Sequence, residues 1–337
     1  MRELRVLQPG ELPMEYEALR QQRQAIQPLL QERVPVNAGP EGRKPRWLKA
    51  RAPGLGEYVN LKRLMRAKTL HTVCEEAHCP NMGECWGQGT ATFMILGDIC
   101  TRSCAYCAVT TGMPEGLDEA EPMRVAEAVR AMGLKHAVIT SVNRDDLADG
   151  GAGVFAATIR AIRALVPDCS VEVLTPDFKG DLDAVAAVVE ARPEIFSHNL
   201  ETVSRLYRFI RPGGRYERAL DVLAHSKVVD RDVLTKSGVI CGMGETQDEL
   251  IAAMSDLRDV GIEILTLGQY LRPSPRHLPI DRYYTPDDFA ALKRIGQEEL
   301  GFKHVEAGPL VRSSYHAREQ VESIGGGSFS QRPAPPA

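Results

Sequence analysis

With 337 residues, 43% of them hydrophobic and 26% charged, the chain has a globular composition and the length for one large α/β domain with extensions or for two ordinary domains. A formal net charge of −4 argues against a nucleic-acid binder, and no apolar run approaches the roughly 20 residues that span a bilayer. The N-terminus mixes Glu3, Glu11, Glu15 and Glu17 with arginines and has no apolar stretch, which excludes a secretion signal or an acid-poor transit peptide and places the protein in the cytoplasm.

Residues 1–50 read as an accessory arm, with one helix over 14–31 and then Pro35, Gly39, Pro40 and Pro45 as breakers. From 43 to 68 the chain is basic: Arg43, Lys44, Arg46, Lys49, Arg51, Lys62, Arg63, Arg66 and Lys68 stand against Glu57 alone. Such a run is either a solvated face or a docking surface for an acidic partner. Residues 51–90 combine this face with the first three cysteines, and 91–317 hold the α/β pattern described next. The tail 318–337, with Gly325, Gly326, Gly327, Pro333, Pro335 and Pro336, has the composition of a disordered segment.

Runs rich in β-branched residues predict strands over 93–97, 137–142, 170–176, 195–201, 233–241 and 263–271, with 304–307 as a seventh. Helical apolar spacing separates them: Val125, Val129 and Met132, then Phe155, Ile159 and Ile162, then Leu182, Val185 and Val189. Thr246 and Glu249 form a capping-box pattern after Gly242 and Gly244. Strand–helix alternation requires right-handed crossovers and a mostly parallel sheet, either doubly wound or a partial barrel. Periodicity does not choose between these, but in both the ligand belongs at the C-terminal ends of the strands.

Six of the eight cysteines fall between Cys74 and Cys107, while Cys169 and Cys241 are isolated and read as small core residues. In a reducing compartment, closely spaced thiols are metal ligands rather than bridges. The triad Cys100, Cys104 and Cys107 follows the first predicted strand at once. Three thiolates on a four-iron cluster leave one iron open to chelate a substrate or cofactor. Zinc prefers four ligands in paired spacings, and no fourth Cys or His stands at a matching distance. Tyr106 adds an aromatic wall. The other triad, Cys74, Cys79 and Cys85, also lacks a fourth ligand; His71 and His78 make zinc a more serious alternative there.

The spacing of Cys100, Cys104 and Cys107 after a first strand resembles the signature of the radical S-adenosylmethionine superfamily. Together with the Cys74, Cys79, Cys85 spacing and RSSY at 312–315, it resembles the lipoyl synthase family. The stretches TSVNRDDLADGGA from Thr140, HNLETV from His198, TKSGVICGMGET from Thr235 and LTLGQYLRPS from Leu265 agree, so the match runs over roughly 70–317. The resemblance implies a partial (β/α)6 radical-SAM barrel with N-terminal and C-terminal extensions. It implies two 4Fe–4S clusters and S-adenosylmethionine as cosubstrate, with insertion of two sulfur atoms at C6 and C8 of a protein-bound octanoyl-lysine. The cluster on Cys100, Cys104 and Cys107 would generate the deoxyadenosyl radical. The auxiliary cluster on Cys74, Cys79 and Cys85 would take Ser314 as its fourth ligand and supply the sulfur. An alkoxide is a hard ligand, mismatched to a soft cluster that has to come apart.

On strand position, Thr140, Ser141, Asn199, Glu201, Lys236, Gln269 and Arg272 join Tyr106 as candidates to bind S-adenosylmethionine. The implied partners are octanoylated lipoyl carrier domains of the 2-oxoacid dehydrogenase E2 and glycine-cleavage H types. A flavodoxin- or ferredoxin-type electron donor and iron–sulfur assembly or carrier proteins are implied as well. A biotin synthase or methylthiotransferase would account for the second triad but not for the first triad together with RSSY.

Overall fold

The computed structural model describes residues 44–49, 55–77, 79, 81, 82, 85 and 92–324. The predicted arm helix, Arg43, Arg51, His78 and residues 325–337 of the predicted tail lie outside these residues, while 318–324, read from composition as part of that disordered tail, belong to a helix. In chain order the elements are α1 (Leu55–Ala67), β1 (His71–Thr72), α2 (Val73–Glu76), β2 (Thr92–Ile95) and the two short strands β3 (Ile99–Cys100) and β4 (Thr110–Thr111). Then come α3 (Glu121–Ala131), β5 (His136–Ser141), α4 (Ala152–Leu165), β6 (Ser170–Leu174), α5 (Leu182–Glu190) and β7 (Ile195–Ser197). The remainder is α6 (Ser204–Ile210), α7 (Tyr216–Val229), β8 (Leu234–Cys241), α8 (Gln247–Asp259), β9 (Ile264–Gln269), α9 (Pro286–Arg294), β10 (His304–Gly308) and α10 (Ala317–Ile324).

Eight strands form one sheet in the order β1-β2-β5-β6-β7-β8-β9-β10. All pairs from β2 to β10 are parallel, and β1 alone is antiparallel, pairing Thr72 with Phe93. A doubly wound sheet reverses its strand order at a switch point. Here the order never reverses. The sheet therefore winds in one direction, as a segment of a barrel does, and β1 and β10 do not pair among the described residues.

Helices cover the outer face. Val125 and Val129 of α3, Phe155, Ile159 and Ile162 of α4, and Val185 and Val189 of α5 are buried in one core cluster with Val171 and Val173 of β6. Each such side chain contributes about 1.5–3 kcal/mol on leaving water. Leu182 departs from the predicted stripe: at the first residue of α5 it is 40% exposed. Cys169 and Cys241 are core residues as expected.

Side chains alternate across a strand, so Glu172, between Val171 and Val173, points to the opposite, concave face. There Lys236 Nζ donates to Glu172 Oε1 at 2.9 Å and His136 Nε2 lies 3.4 Å from Oε2. A charged group this deep persists only if paired. Among the described residues no helix is long and apolar enough to cross a membrane.

Candidate cluster and cosubstrate sites

Cys100 ends β3, and its carbonyl accepts from Gly112 N at 3.0 Å, which ties the start of the cysteine loop to the residue after β4. Its Sγ accepts from the backbone N–H of Arg102 at 3.4 Å and of Asn143 at 3.3 Å. The rest of the loop is braced from three sides. Ala105 N donates to Ile210 O at 2.8 Å, Leu278 N to Ala105 O at 3.0 Å, and His277 Nε2 lies 3.0 Å from Cys107 O. Burial pushes the Cys104 thiol up to about 11 and Cys107 up to about 12; a neighbouring thiol of the triad adds to both shifts, and burial raises Cys100 too. A cationic body bound among them would offset this burial and mutual repulsion by holding the three as thiolates.

The second triad lies in a tighter backbone. Thr72 Oγ1 caps α2 by accepting from Glu75 N, and Cys79 N donates to Cys74 O at 3.0 Å. Cys85 N in turn donates to Asn81 O at 2.9 Å. RSSY arrives here from the far end of the chain. Asn81 Nδ2 donates to Leu310 O at 2.6 Å, and Thr92 Oγ1 donates to Ser314 Oγ at 2.8 Å. Burial raises Cys79, with the nearby charge of Arg312 acting against it. The RSSY segment thus runs beside the first triad, and three thiols with a nearby serine oxygen would fit an iron–sulfur cube with one hard corner. His71, the candidate zinc ligand, faces Glu76 instead at 3.7 Å. Among the described residues no three or more His, Cys, Asp or Glu side chains gather as a single-ion site. A cube offers a separate iron to each thiolate, so its ligands do not converge on one point.

The cosubstrate candidates divide. Tyr106 reaches Glu201, whose carboxyl is raised by burial, and Asn199 Nδ2 donates to Glu201 Oε1 at 3.1 Å. Glu201 adopts φ 70°, a left-handed conformation that turns it out of the β7 ladder. Ser141 Oγ and Asn199 Oδ1 are buried without a protein partner, as are Asn143 Oδ1 and Arg102 Nη1, all at strand C-terminal ends or in the cysteine loop. Each such atom costs about 1–3 kcal/mol unless something polar meets it, so a polar ligand fits here. Thr140 Oγ1 is committed to Leu174 O.

Three candidates are held elsewhere. Lys236 sits three residues into β8, fully buried on Glu172. Gln269 donates to Cys241 O, Tyr270 O and Arg282 O and accepts from Tyr284 N, so its amide fastens strand to loop. Arg272 donates to His277 O and Pro275 O, shaping the loop that braces Cys107.

The family model of the radical SAM superfamily matches residues 94–257, and that of the N-terminal domain of lipoyl synthase matches residues 16–79. The lipoyl synthase of Rubrobacter xylanophilus is 60% identical over 305 residues, covering 90% of this chain and 93% of the relative. The chain belongs to the lipoyl synthase family. Lipoyl synthases of Thermus thermophilus (58% identical, 81% of this chain and 85% of the relative) and Roseiflexus sp. (54%, 83% and 93%) agree. Methylornithine synthase shares the fold at TM-score 0.51 and 12% identity, over 80% of this chain and 87% of that one. As a lipoyl synthase and radical SAM enzyme, the chain uses a 4Fe–4S cluster with S-adenosylmethionine and an auxiliary cluster.

In this lipoyl synthase two arginines matter that sequence reasoning missed. Arg102, inside the cysteine loop, pairs with Asp145 at 2.7 Å and with Asp177 at 2.7 Å. Burial opposes the Asp177 charge, yet Arg102 holds its carboxyl well below the usual range. The position of Arg102 between Cys100 and Cys104 was the available signal. Arg211 donates to Asn199 O at 2.7 Å and Tyr207 Oη at 2.9 Å, and its charge acts on Cys104. Nothing in its RPGGR context pointed there. Burial, joined by the charge of Arg211, pushes the adjacent His198 down to about 3, so it is neutral at physiological pH.

Proposed function

We propose that the cluster bound by Cys100, Cys104 and Cys107 cleaves S-adenosylmethionine, and that the one bound by Cys74, Cys79, Cys85 and Ser314 provides the sulfur inserted at C6 and C8 of octanoyl-lysine. When bound, the first cluster supplies the electron that releases a 5′-deoxyadenosyl radical, and the second serves as the sulfur donor. The protein's residues do the rest. Three thiolates leave an iron open for the amino and carboxylate groups of S-adenosylmethionine. Asn199, Glu201, Ser141 and Tyr106 line its place at the strand ends, and Arg102 and Arg211 fix the loop and neutralise thiolate charge. Ser313 and Ser314 close over the barrel mouth and shield it from water. The observation that supports this reading is the bond from Asn81, between Cys79 and Cys85, to Leu310 O, two residues before RSSY.

The substrate is an octanoylated lipoyl carrier protein, of E2 or glycine-cleavage H type. A flavodoxin or ferredoxin donates electrons, iron–sulfur assembly proteins rebuild the auxiliary cluster, and the enzyme works in the cytoplasm. The basic face serves to steer acidic carriers. Among its described residues, Lys62 is engaged with Glu75 at 3.4 Å and Lys68 with Glu127 at 2.7 Å. The side chains of Arg46, Arg63 and Arg66 are exposed. Anaerobic reconstitution tests the cluster assignment. A brown protein with about eight irons and eight sulfides per chain is expected from two four-iron clusters. A colourless, zinc-rich protein would overturn it.

A further inference from the structure

Residues 308–315 are seated at several points on different parts of the fold. Asn81 holds Leu310 O, Asn199 Nδ2 donates to Ser313 Oγ at 2.7 Å, and Thr92 donates to Ser314 Oγ. Val311 N donates back to Gly308 O at 3.1 Å, and Tyr315 N to Arg312 O at 2.9 Å, so the segment is a pair of tight turns. Further support comes from β9. A Cβ placed on Gly268 would fall on the carbonyl oxygen of Val311, with the carbonyl carbon at 3.0 Å and Arg312 Nη1 at 3.3 Å. The obstacle is backbone rather than the end of a flexible side chain, so it cannot rotate away. Gly268 pairs with Gly308 in the β9–β10 register, and a Cβ on Gly308 would meet Val311 Cγ2 at 3.3 Å. Between β9 and β10 this rung has no side chains, and the Val311 peptide lies in the room they leave.

We infer that Gly268 is a positioning residue for the auxiliary cluster: by leaving its place on β9 empty it admits the main chain of Val311 and so sets where Ser314 meets the cluster. Gly268 is in β-strand register and its φ is not in the left-handed region, so space rather than conformational freedom is the requirement. Any side chain there pushes Val311 outward. Arg312, Ser313 and Ser314 follow within three residues, and the Ser313 and Ser314 bonds are too short to span a shift of that kind.

The inference rests on Ser314 being a cluster ligand, and the test separates the two claims. Iron release to a chelator is followed in reconstituted holoenzyme, with the fast and slow halves of the iron resolved separately. Gly268→Ala is expected to speed release of half the iron by tenfold or more, while the other half leaves at the wild-type rate. Ser314→Ala is expected to do the same, and the double variant to release iron no faster than Ser314→Ala alone. Val311→Gly, which loosens the same seat without adding an atom to the barrel, is expected to accelerate release too, and it decides the matter if Gly268→Ala does not fold. Unchanged release in Gly268→Ala or Val311→Gly, with Ser314→Ala still fast, overturns the role of Gly268. Unchanged release in Ser314→Ala overturns the ligand assignment beneath it.

Discussion

Thr92 donates its hydroxyl to Ser314 across 2.8 Å, joining the start of the parallel sheet to a residue 222 positions later. A donor aimed at the serine oxygen favours its deprotonated form. Thr92→Val keeps the shape and removes the donor. A neutral hydrogen bond contributes about 0.5–1.5 kcal/mol, so auxiliary iron should leave several-fold faster on chelation, with S-adenosylmethionine cleavage unchanged. Equal chelation rates would remove Thr92 from the account.

Arg211 lies beside Cys104, Tyr106 and Glu201 and holds Asn199 O. Arg211→Met takes away both the charge and the bond that orients the Asn199 loop. A buried charge-assisted bond contributes about 1.5–3 kcal/mol, so cleavage of S-adenosylmethionine should fall roughly ten- to hundredfold. Auxiliary iron content should hold. Loss of both clusters together would instead mark Arg211 as part of the folding core.

The seven parallel strands of the main sheet were legible because each is an apolar β-branched run between helical stripes. The paired short strand His71–Thr72 was not, since two residues carry no periodicity. The strand predicted over 195–201 stops at Ser197. Glu201 turns left-handed and keeps only an isolated bridge to Val239, a backbone event that composition does not encode. Strand position alone made Lys236 and Gln269 candidates. Their burial and partners, visible only in three dimensions, assign them structural roles. Arg211 was illegible for the converse reason, because a helix-end arginine is ordinarily a surface residue.

Lys236 gives a stability prediction with a pH signature. Burial acts to raise Glu172, but Lys236 and His136 hold it below the usual 4.5. A depressed folded pKa contributes stability that is present above the unfolded value and lost as pH falls through the folded one. Lys236→Met strands the carboxylate and should cost about 3–5 kcal/mol near neutral pH. Without Lys236 the burial of Glu172 should raise it, so the gap to wild type should begin to narrow above pH 4.5, as the variant's carboxyl takes up a proton, and go on narrowing as pH falls through the lowered wild-type value. Denaturant melts at several pH values check this, and a gap independent of pH would contradict the pairing.

The basic face predicts a substrate-size effect. Reversing Arg46, Arg63 and Arg66 to glutamate should raise the apparent KM for an octanoylated carrier domain several-fold and flatten its dependence on salt. A short octanoyl-lysine peptide should be affected far less. Equal effects on both would mean that the face does not dock carriers.

The central claim is that one cysteine triad starts the radical chemistry while the other gives up sulfur. The most direct test is the mass spectrum of an octanoyl-lysine peptide after incubation with reductant, S-adenosylmethionine and the Cys79→Ala enzyme. We predict that S-adenosylmethionine is still cleaved and the peptide gains no sulfur, whereas Cys104→Ala abolishes cleavage. A lipoyl mass from Cys79→Ala would contradict the assignment.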